Sequence, residues 1–436
     1  MRAIAPILTA VVAMMLPACG GDDGGQEPDV PPARPVEASG CSPIAYGGTG
    51  RPDLLIAASS VLQGQFIDHG VQISQALKLV LAERDWRAGD YSVGLQLCDE
   101  TTAASSDDSD PEKCRRNAHA FSRNRSVIVV AGPWSSTCAL EMLPILNRAS
   151  GGPLAAISGS TTYLGLTRPG PGVGQGEPAR YLPTGERGFV RVVPADDVQG
   201  AAGALFAKRQ GARRVFVLND DQPYGFGIAE SFRVTAERSG LSVAGTEAWD
   251  PHAQSYRALA DRVRAAGADA VYLAGYVSNN GVRLIEDLRA ALGSDVLIVG
   301  PDGFATPGLI VEGAGPAAED FRWTIPTLPN EALPATGREL AAEFEERYSS
   351  APCCFAVQAA QTASLIMDAI EGSDGSRSQV TENLLGARVE EGYLGDFEID
   401  RYGDTTLTAI GVYRIEEGRL RFETAIAPPA ELLARR

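Results

Sequence analysis

Two clusters of small hydroxyl residues stand where a small anion could be held. Trp134-Ser135-Ser136-Thr137 follows the apolar run Val127–Ala131, and Ser158-Gly159-Ser160-Thr161-Thr162 follows the apolar residues 154–157. In open α/β sheets, ligands sit just past the carboxyl ends of the strands. There, free N–H groups at helix starts and short hydroxyl side chains cradle negative charge. Together the two clusters suit a carboxylate, although the same residue types also serve as helix caps and turn formers.

Covalent chemistry has no comparable foothold. The chain holds three histidines, His69, His119 and His252, and none stands beside a plausible nucleophile or in a metal-ligand spacing. It has no Gly-x-Ser-x-Gly elbow, no phosphate loop ending in Gly-Lys-Ser/Thr and no His-Glu-x-x-His. Asp220-Asp221 and Asp196-Asp197 are paired carboxylates that could hold a metal or do acid–base work. The second pair follows Pro194 and reads better as an N-cap and first-turn charge of a helix over 198–207. The expectation is a binding protein, with neither metal nor cofactor.

The elements that would position the hydroxyl clusters alternate. From residue 53 onward, short β-rich runs are followed by longer helical patterns, which signals parallel sheets covered by helices. Strands are expected at 54–58, 93–97, 127–131 and 154–158, with a helix after the first carrying Val71, Ile73, Ala76, Leu77, Val80 and Leu81 on one face. The pattern restarts at 189–193, 215–218, 270–274 and 296–299, as a second α/β unit. Between the units, 167–187 is rich in Gly and Pro and reads as an irregular surface loop. Late helices at 338–348 and 358–370 precede a strand-rich end with a turn at 401–404.

The formal charge of −17 argues against nucleic acid, whose phosphates require excess Lys and Arg, and against adsorption to anionic lipid. The start of the chain points to a membrane by another route. Residues 1–18 pair Arg2 with an apolar run and read as a removable signal, too short to span a bilayer. Leu16-Pro17-Ala18-Cys19 resembles the bacterial lipoprotein signal, in which the cysteine is acylated. Residues 20–40 are mostly Gly, Pro and Asp/Glu, a composition that stays disordered, and a flexible chain of this length spans roughly 25 to 30 Å. A lipidated tether over 19–50 is therefore expected, attached to an extracytoplasmic protein. Six further cysteines (Cys41, Cys98, Cys114, Cys138, Cys353 and Cys354) suggest disulfides, with 15 possible pairings.

A family resemblance runs from about residue 53 to 375. Gly132 to Ala139, Ile145 to Ala149, Ile157 to Thr162 and Leu166-Thr167 look like the branched-chain amino acid-binding proteins of ABC transporters. So do Arg191 to Gly200, Asn219 to Gly225 and Gly300-Pro301-Asp302-Gly303, in the same order and spacing. The resemblance implies a type I periplasmic binding protein: two doubly wound parallel-sheet lobes joined by three crossovers and closing on ligand. The implied lobes are 51–185 plus 327–390, and 186–326 plus 391–436.

By position, the resemblance places carboxylate contacts on Ser136, Ser160 and Thr162, and the partner of the ligand's ammonium on Asp302. Tyr224 and Tyr276 match cleft tyrosines, and Gln63 matches the loop at the cleft mouth. Trp134 stands where a smaller residue is common, which should reshape the side-chain pocket. Asp302 is shorter than the usual glutamate. Cys114 and Cys138 lie near the positions of a family disulfide. The implied function is capture of an amino acid or similar zwitterion and delivery to an ABC permease. The alternatives are a ligand-sensing ectodomain of the same fold and, less favoured for want of a nucleophile–base pair, an amide hydrolase.

Overall fold

The computed structural model describes residues 31–102 and 109–433. Cys19, the apolar leader and the start of the acidic tail lie outside the described residues. Among the described residues, no helix is long and apolar enough to cross a membrane.

The first lobe opens with strands β1 (Leu54–Ser60), β2 (Arg87–Ala88), β3 (Tyr91–Asp99), β4 (Val127–Ala131), β5 (Ala156–Ser158) and β6 (Phe189–Arg191), interspersed with helices α1 (Ile67–Glu83), α2 (Pro111–Arg123) and α3 (Ser136–Leu146). The chain then crosses into a second lobe. This lobe holds strands β7 (Arg214–Asn219), β8 (Ser242–Ala248), β9 (Ala270–Ala274), β10 (Leu297–Gly300) and β11 (Arg322–Ile325), with helices α4 (Asp196–Arg209), α5 (Pro223–Ser239), α6 (Arg257–Ala265), α7 (Gly281–Leu292) and α8 (Pro307–Ala314). It returns for α9 (Ala335–Tyr348), α10 (Ala356–Glu371), α11 (Arg377–Leu385) and the hairpin β12 (Arg388–Gly392) and β13 (Gly395–Glu398). A last crossing delivers β14 (Ile410–Glu416) and β15 (Arg419–Ile426) to the second lobe.

The first sheet runs β2-β3-β1-β4-β5-β6 and the second β15-β14-β11-β10-β9-β7-β8. Strands β1, β4, β5, β6 and β9 are buried at every position, as parallel strands covered on both faces must be. In the first lobe, one core joins α1 and α10 to the sheet and another joins α2 and α3 to it. In the second, a single large core gathers α4 to α8 and the sheet. This is the two-lobed α/β architecture expected from the alternating pattern.

Five local expectations need correction. Residues 189–193 do not begin the second unit: β6 pairs with β5 in parallel, Ala156 opposite Phe189, and closes the first sheet. Periodicity identifies a strand but not the sheet it joins, so the first crossover falls at 192–195. The β12–β13 hairpin likewise stays with the first lobe, where Phe397 and Ile399 enter its core.

The segment 167–187 is not wholly superficial. Tyr181 and Arg168 are buried, and the Tyr163 hydroxyl donates to Glu177 at 2.6 Å across its base. Nor does a tether run to residue 50. Ala33 and Val36 are buried, Cys41 is bonded to Cys98, and Ala45 pairs with Leu95 along the edge of β3. Two buried apolar residues, a cross-link and covered strand-edge groups supply what the composition of this stretch lacks. Finally, Val71 on α1 is 43% exposed instead of lying on the core face.

Cys114 and Cys138 are bonded, joining α2 to α3, and Cys353 is bonded to its neighbour Cys354.

Candidate ligand-binding site

The carboxyl ends of β4 and β5 bring the two hydroxyl clusters side by side. At the end of β4 the backbone turns through Gly132, at φ +119°, where an added Cβ would lie 2.4 Å from the Ser59 carbonyl oxygen. A side chain would be strained and blocked there at once. The turn aims the N–H groups of Trp134 and Ser135 at the Glu100 carboxylate, 3.1 and 2.9 Å away, and the Ser59 hydroxyl also donates to it at 2.8 Å. Burial pushes Glu100 up to about 7 against these hydrogen bonds. This carboxylate is saturated with donors, so its work is to brace the loop.

Ser135 caps α3 by accepting from Cys138 N–H at 3.0 Å, and Ser136 opens that helix. The Ser136 hydroxyl accepts from Tyr163 N–H at 3.2 Å. From the β5 loop, the Ser158 hydroxyl donates to the Pro133 carbonyl and accepts from Ser160 and Thr161 N–H. The Ser160 hydroxyl donates to the Trp134 carbonyl at 2.9 Å. These cross-links tie Ser160 to the β4 loop and Ser136 to the backbone at Tyr163, next to Thr162.

The facing surface comes from the second lobe. Asp302 follows β10, and its Oδ1 accepts from the Tyr224 hydroxyl at 2.6 Å and from Gln199 Nε2 at 2.8 Å. Burial pushes the Asp302 carboxyl up to about 6 despite both bonds, and it holds Tyr224 well above its usual range, so the phenol remains a donor. Tyr276 packs on Tyr224 with ring centroids 4.8 Å apart. The neighbouring Asp220 has a structural task. It accepts from Tyr276 N–H and from Asn279 Nδ2, fixing the loop that presents Tyr276.

Between the lobes lies an aromatic cluster. Trp134 meets Phe66 at 4.9 Å and, across the cleft, Tyr276 at 6.2 Å. His69 packs against Phe66, Trp134 and Phe355, and burial holds its imidazole down at about 4. Trp134 Nε1 and His69 Nδ1 have no hydrogen-bond partner. The lobes are therefore in contact, and the space left beneath Trp134 and beside Ser160 is only ≈ 20 Å³, room for about one water.

Seven of the eight residues singled out from the sequence meet at this interface. Gln63 does not join them: it is exposed and donates to the Asp99 carboxylate at the cleft mouth. His119 and His252 are exposed, in keeping with their lack of catalytic context.

One residue of the interface escaped the sequence reading. Asp196 is fully buried in the first turn of α4, close enough to Asp302 for each charge to disfavour the other. Burial pushes its carboxyl well above the usual range, with the Thr162 hydroxyl pulling the other way. Neither carboxylate oxygen has a hydrogen bond of good geometry. The N-cap is Ala195, so Asp196 does not cap its helix. Its neighbour Asp197 is bound by Arg168 at 3.0 Å. Burying a carboxyl group with so little hydrogen bonding is costly for its ionised form.

A buried charge network lies at the crossovers. Asp404 receives Arg191 Nε at 2.7 Å and Arg168 Nε at 2.9 Å. Burial raises the Asp404 carboxyl, but the two guanidinium groups overcome this and hold it below the usual range.

A family model described as periplasmic binding protein matches residues 103–419. The chain is 27% identical to the leucine-, isoleucine-, valine-, threonine- and alanine-binding protein of Pseudomonas aeruginosa, over 53% of this chain and 61% of that protein. It thus spans somewhat under two thirds of that relative. It is 23% identical to a Leu/Ile/Val-binding protein of Rhizobium johnstonii over 86% of this chain and 95% of that one. A leucine-binding protein of Thermotoga maritima shares the fold with a TM-score of 0.72 at 24% identity, covering 86% of this chain and 99% of the other.

Proposed function

The chain belongs to the periplasmic binding protein family, a family of solute-binding proteins, and from that premise we propose that it captures an amino acid or similar small zwitterion and delivers it to an ABC permease. The observation that carries the ligand class is the split charge pattern of the cleft. One lobe presents to a carboxylate the Ser136 hydroxyl, which accepts from Tyr163 N–H and keeps its own proton to donate, with Ser160 and Thr162 beside it. Facing them, Asp302 and the buried Asp196 are carboxyl groups that an ammonium would draw into their ionised form. A ligand lacking the ammonium would leave two buried carboxylates without a counter-charge, and one lacking the carboxylate would leave the hydroxyl surface unused.

Such a site makes closure depend on ligand, because neither lobe satisfies the ligand alone. Binding then shifts the population toward the closed form that a permease recognises. The Trp134, Tyr276 and Phe355 rings line the space for the ligand's side chain and favour an apolar one.

Cys19 completes the proposal. Acylated there, and joined to the folded lobes by a short acidic tail, the receptor stays within tens of ångströms of the membrane and meets its permease at high effective concentration. Replacing Cys19 by Ala should move the chain from the membrane fraction to the soluble one; unchanged membrane retention would refute the anchor.

A thermal-shift screen over amino acids, small amides and benzoate tests the ligand class. A ligand at 100 times its Kd adds about 2.7 kcal/mol, or roughly 5 °C for domains of this size. A shift with one or a few amino acids supports the proposal, whereas silence across all amino acids would overturn it.

A further inference from the structure

A second cavity, ≈ 320 Å³ in volume, opens on the flank of the molecule beside the second crossover. The second lobe contributes Trp323 and Tyr413, whose rings stack 6.2 Å apart at 17° and form a continuous flat aromatic wall. The first lobe contributes Phe355 and the bonded pair Cys353–Cys354, and Leu328 of the crossover lines the space between them. Phe355 also packs against His69 of the cleft cluster, so its ring partitions this cavity from the small space beneath Trp134.

Three features give the cavity the character of a ligand site. Its volume falls in the range of small-molecule pockets, about 300 to 1,000 Å³, while the space beneath Trp134 holds ≈ 20 Å³. Leu420 at its rim is 47% exposed, an apolar side chain left in water beside an apolar hollow. The disulfide replaces two polar thiols with polarisable sulfur surface, which favours aromatic contact.

The lining also defines the ligand's charge. It contains no Lys, Arg or His, and its one acid, Glu331, is exposed to solvent. An anion would find no counter-charge there. The polar side chains along the wall, Thr327, Asn330 and Gln358, are a hydroxyl and two amides, suited to a single N–H or O–H group. We propose that this cavity is a second binding site, separate from the interlobe cleft, for a neutral aromatic molecule bearing one hydrogen-bonding group, such as an indole or a phenol.

Calorimetric titration of the full chain with indole tests this directly, and it needs no knowledge of the cleft ligand. Wild-type protein should bind indole saturably. Leu328→Trp, which fills the cavity, should abolish the binding. Leu420→Asp should weaken it at least tenfold; because Leu420 is exposed, this variant keeps the test intact if Leu328→Trp fails to fold. Absence of saturable binding to the wild type would overturn the proposal, and so would binding that neither substitution alters.

Discussion

The Tyr224 hydroxyl donates to Asp302 Oδ1 across 2.6 Å, and Gln199 Nε2 donates to the same oxygen across 2.8 Å. Among the described residues no side chain donates to the second oxygen, Oδ2. Two donors on one oxygen fix the carboxylate plane, and under the proposed function its other edge is the one that would meet the ligand's ammonium.

Asp302→Asn should therefore keep the fold and lose the ligand. Removing one partner of a buried ion pair costs about 3 to 5 kcal/mol, or about 100-fold or more in affinity for the amino acid. Calorimetry reads the affinity and circular dichroism the fold. Affinity within threefold of wild type would refute the assigned role.

The pH dependence follows from the same carboxyl. Burial pushes it up to about 6, and only its ionised form can pair with an ammonium. Above about pH 7 the Asp302 carboxyl should add no further dependence. Below 6 affinity should fall, by up to tenfold per unit, as ligand must displace a bound proton. Titrations in buffers of different ionisation enthalpy would show proton release at pH 5.5 and little at pH 8. An affinity flat from pH 8 to 5 would contradict this.

Asp196 should trade stability against function. Desolvation holds its carboxyl well above the usual range despite the Thr162 hydroxyl, so Asp196→Asn removes a costly buried acid and should leave the ligand-free Tm unchanged or higher. Ligand affinity should nevertheless drop at least tenfold. A lower Tm with unchanged affinity would make Asp196 structural instead.

Asp404 gives the opposite pattern. Asp404→Asn leaves Arg168 and Arg191 buried without their shared anion, which costs about 3 to 5 kcal/mol. The denaturant midpoint should fall while the cleft residues remain in place. A midpoint within error of the wild type would show that the network does not carry the crossovers.

Some of this was legible in the sequence for simple reasons. Five consecutive apolar residues bounded by Gly-Pro can be little but a buried strand, and β4 spans those five residues. The hydroxyl clusters were legible because their strands end beside them. Asp196 was not, since two acids after a proline suit the first turn of any helix. Only the packing around the first turn of α4 separates Asp196, buried beside the Thr162 hydroxyl, from Asp197, paired with Arg168. The pairing of Cys353 with Cys354 is of the same kind, because six cysteines leave 15 arrangements. The order of residues 33–46 was hidden too, since a segment poor in apolar residues gained it from Cys98 and the edge of β3.

The central claim is that one cleft reads both ends of a zwitterion. The most direct test is calorimetric titration at pH 7.5 with the best-binding amino acid, set against its deaminated acid and its decarboxylated amine. Each analogue should bind about 100-fold more weakly or worse, because each leaves one face of the split site unanswered. A deaminated acid that bound as tightly as the amino acid would contradict the role of Asp302 and Asp196, and with it the proposed ligand.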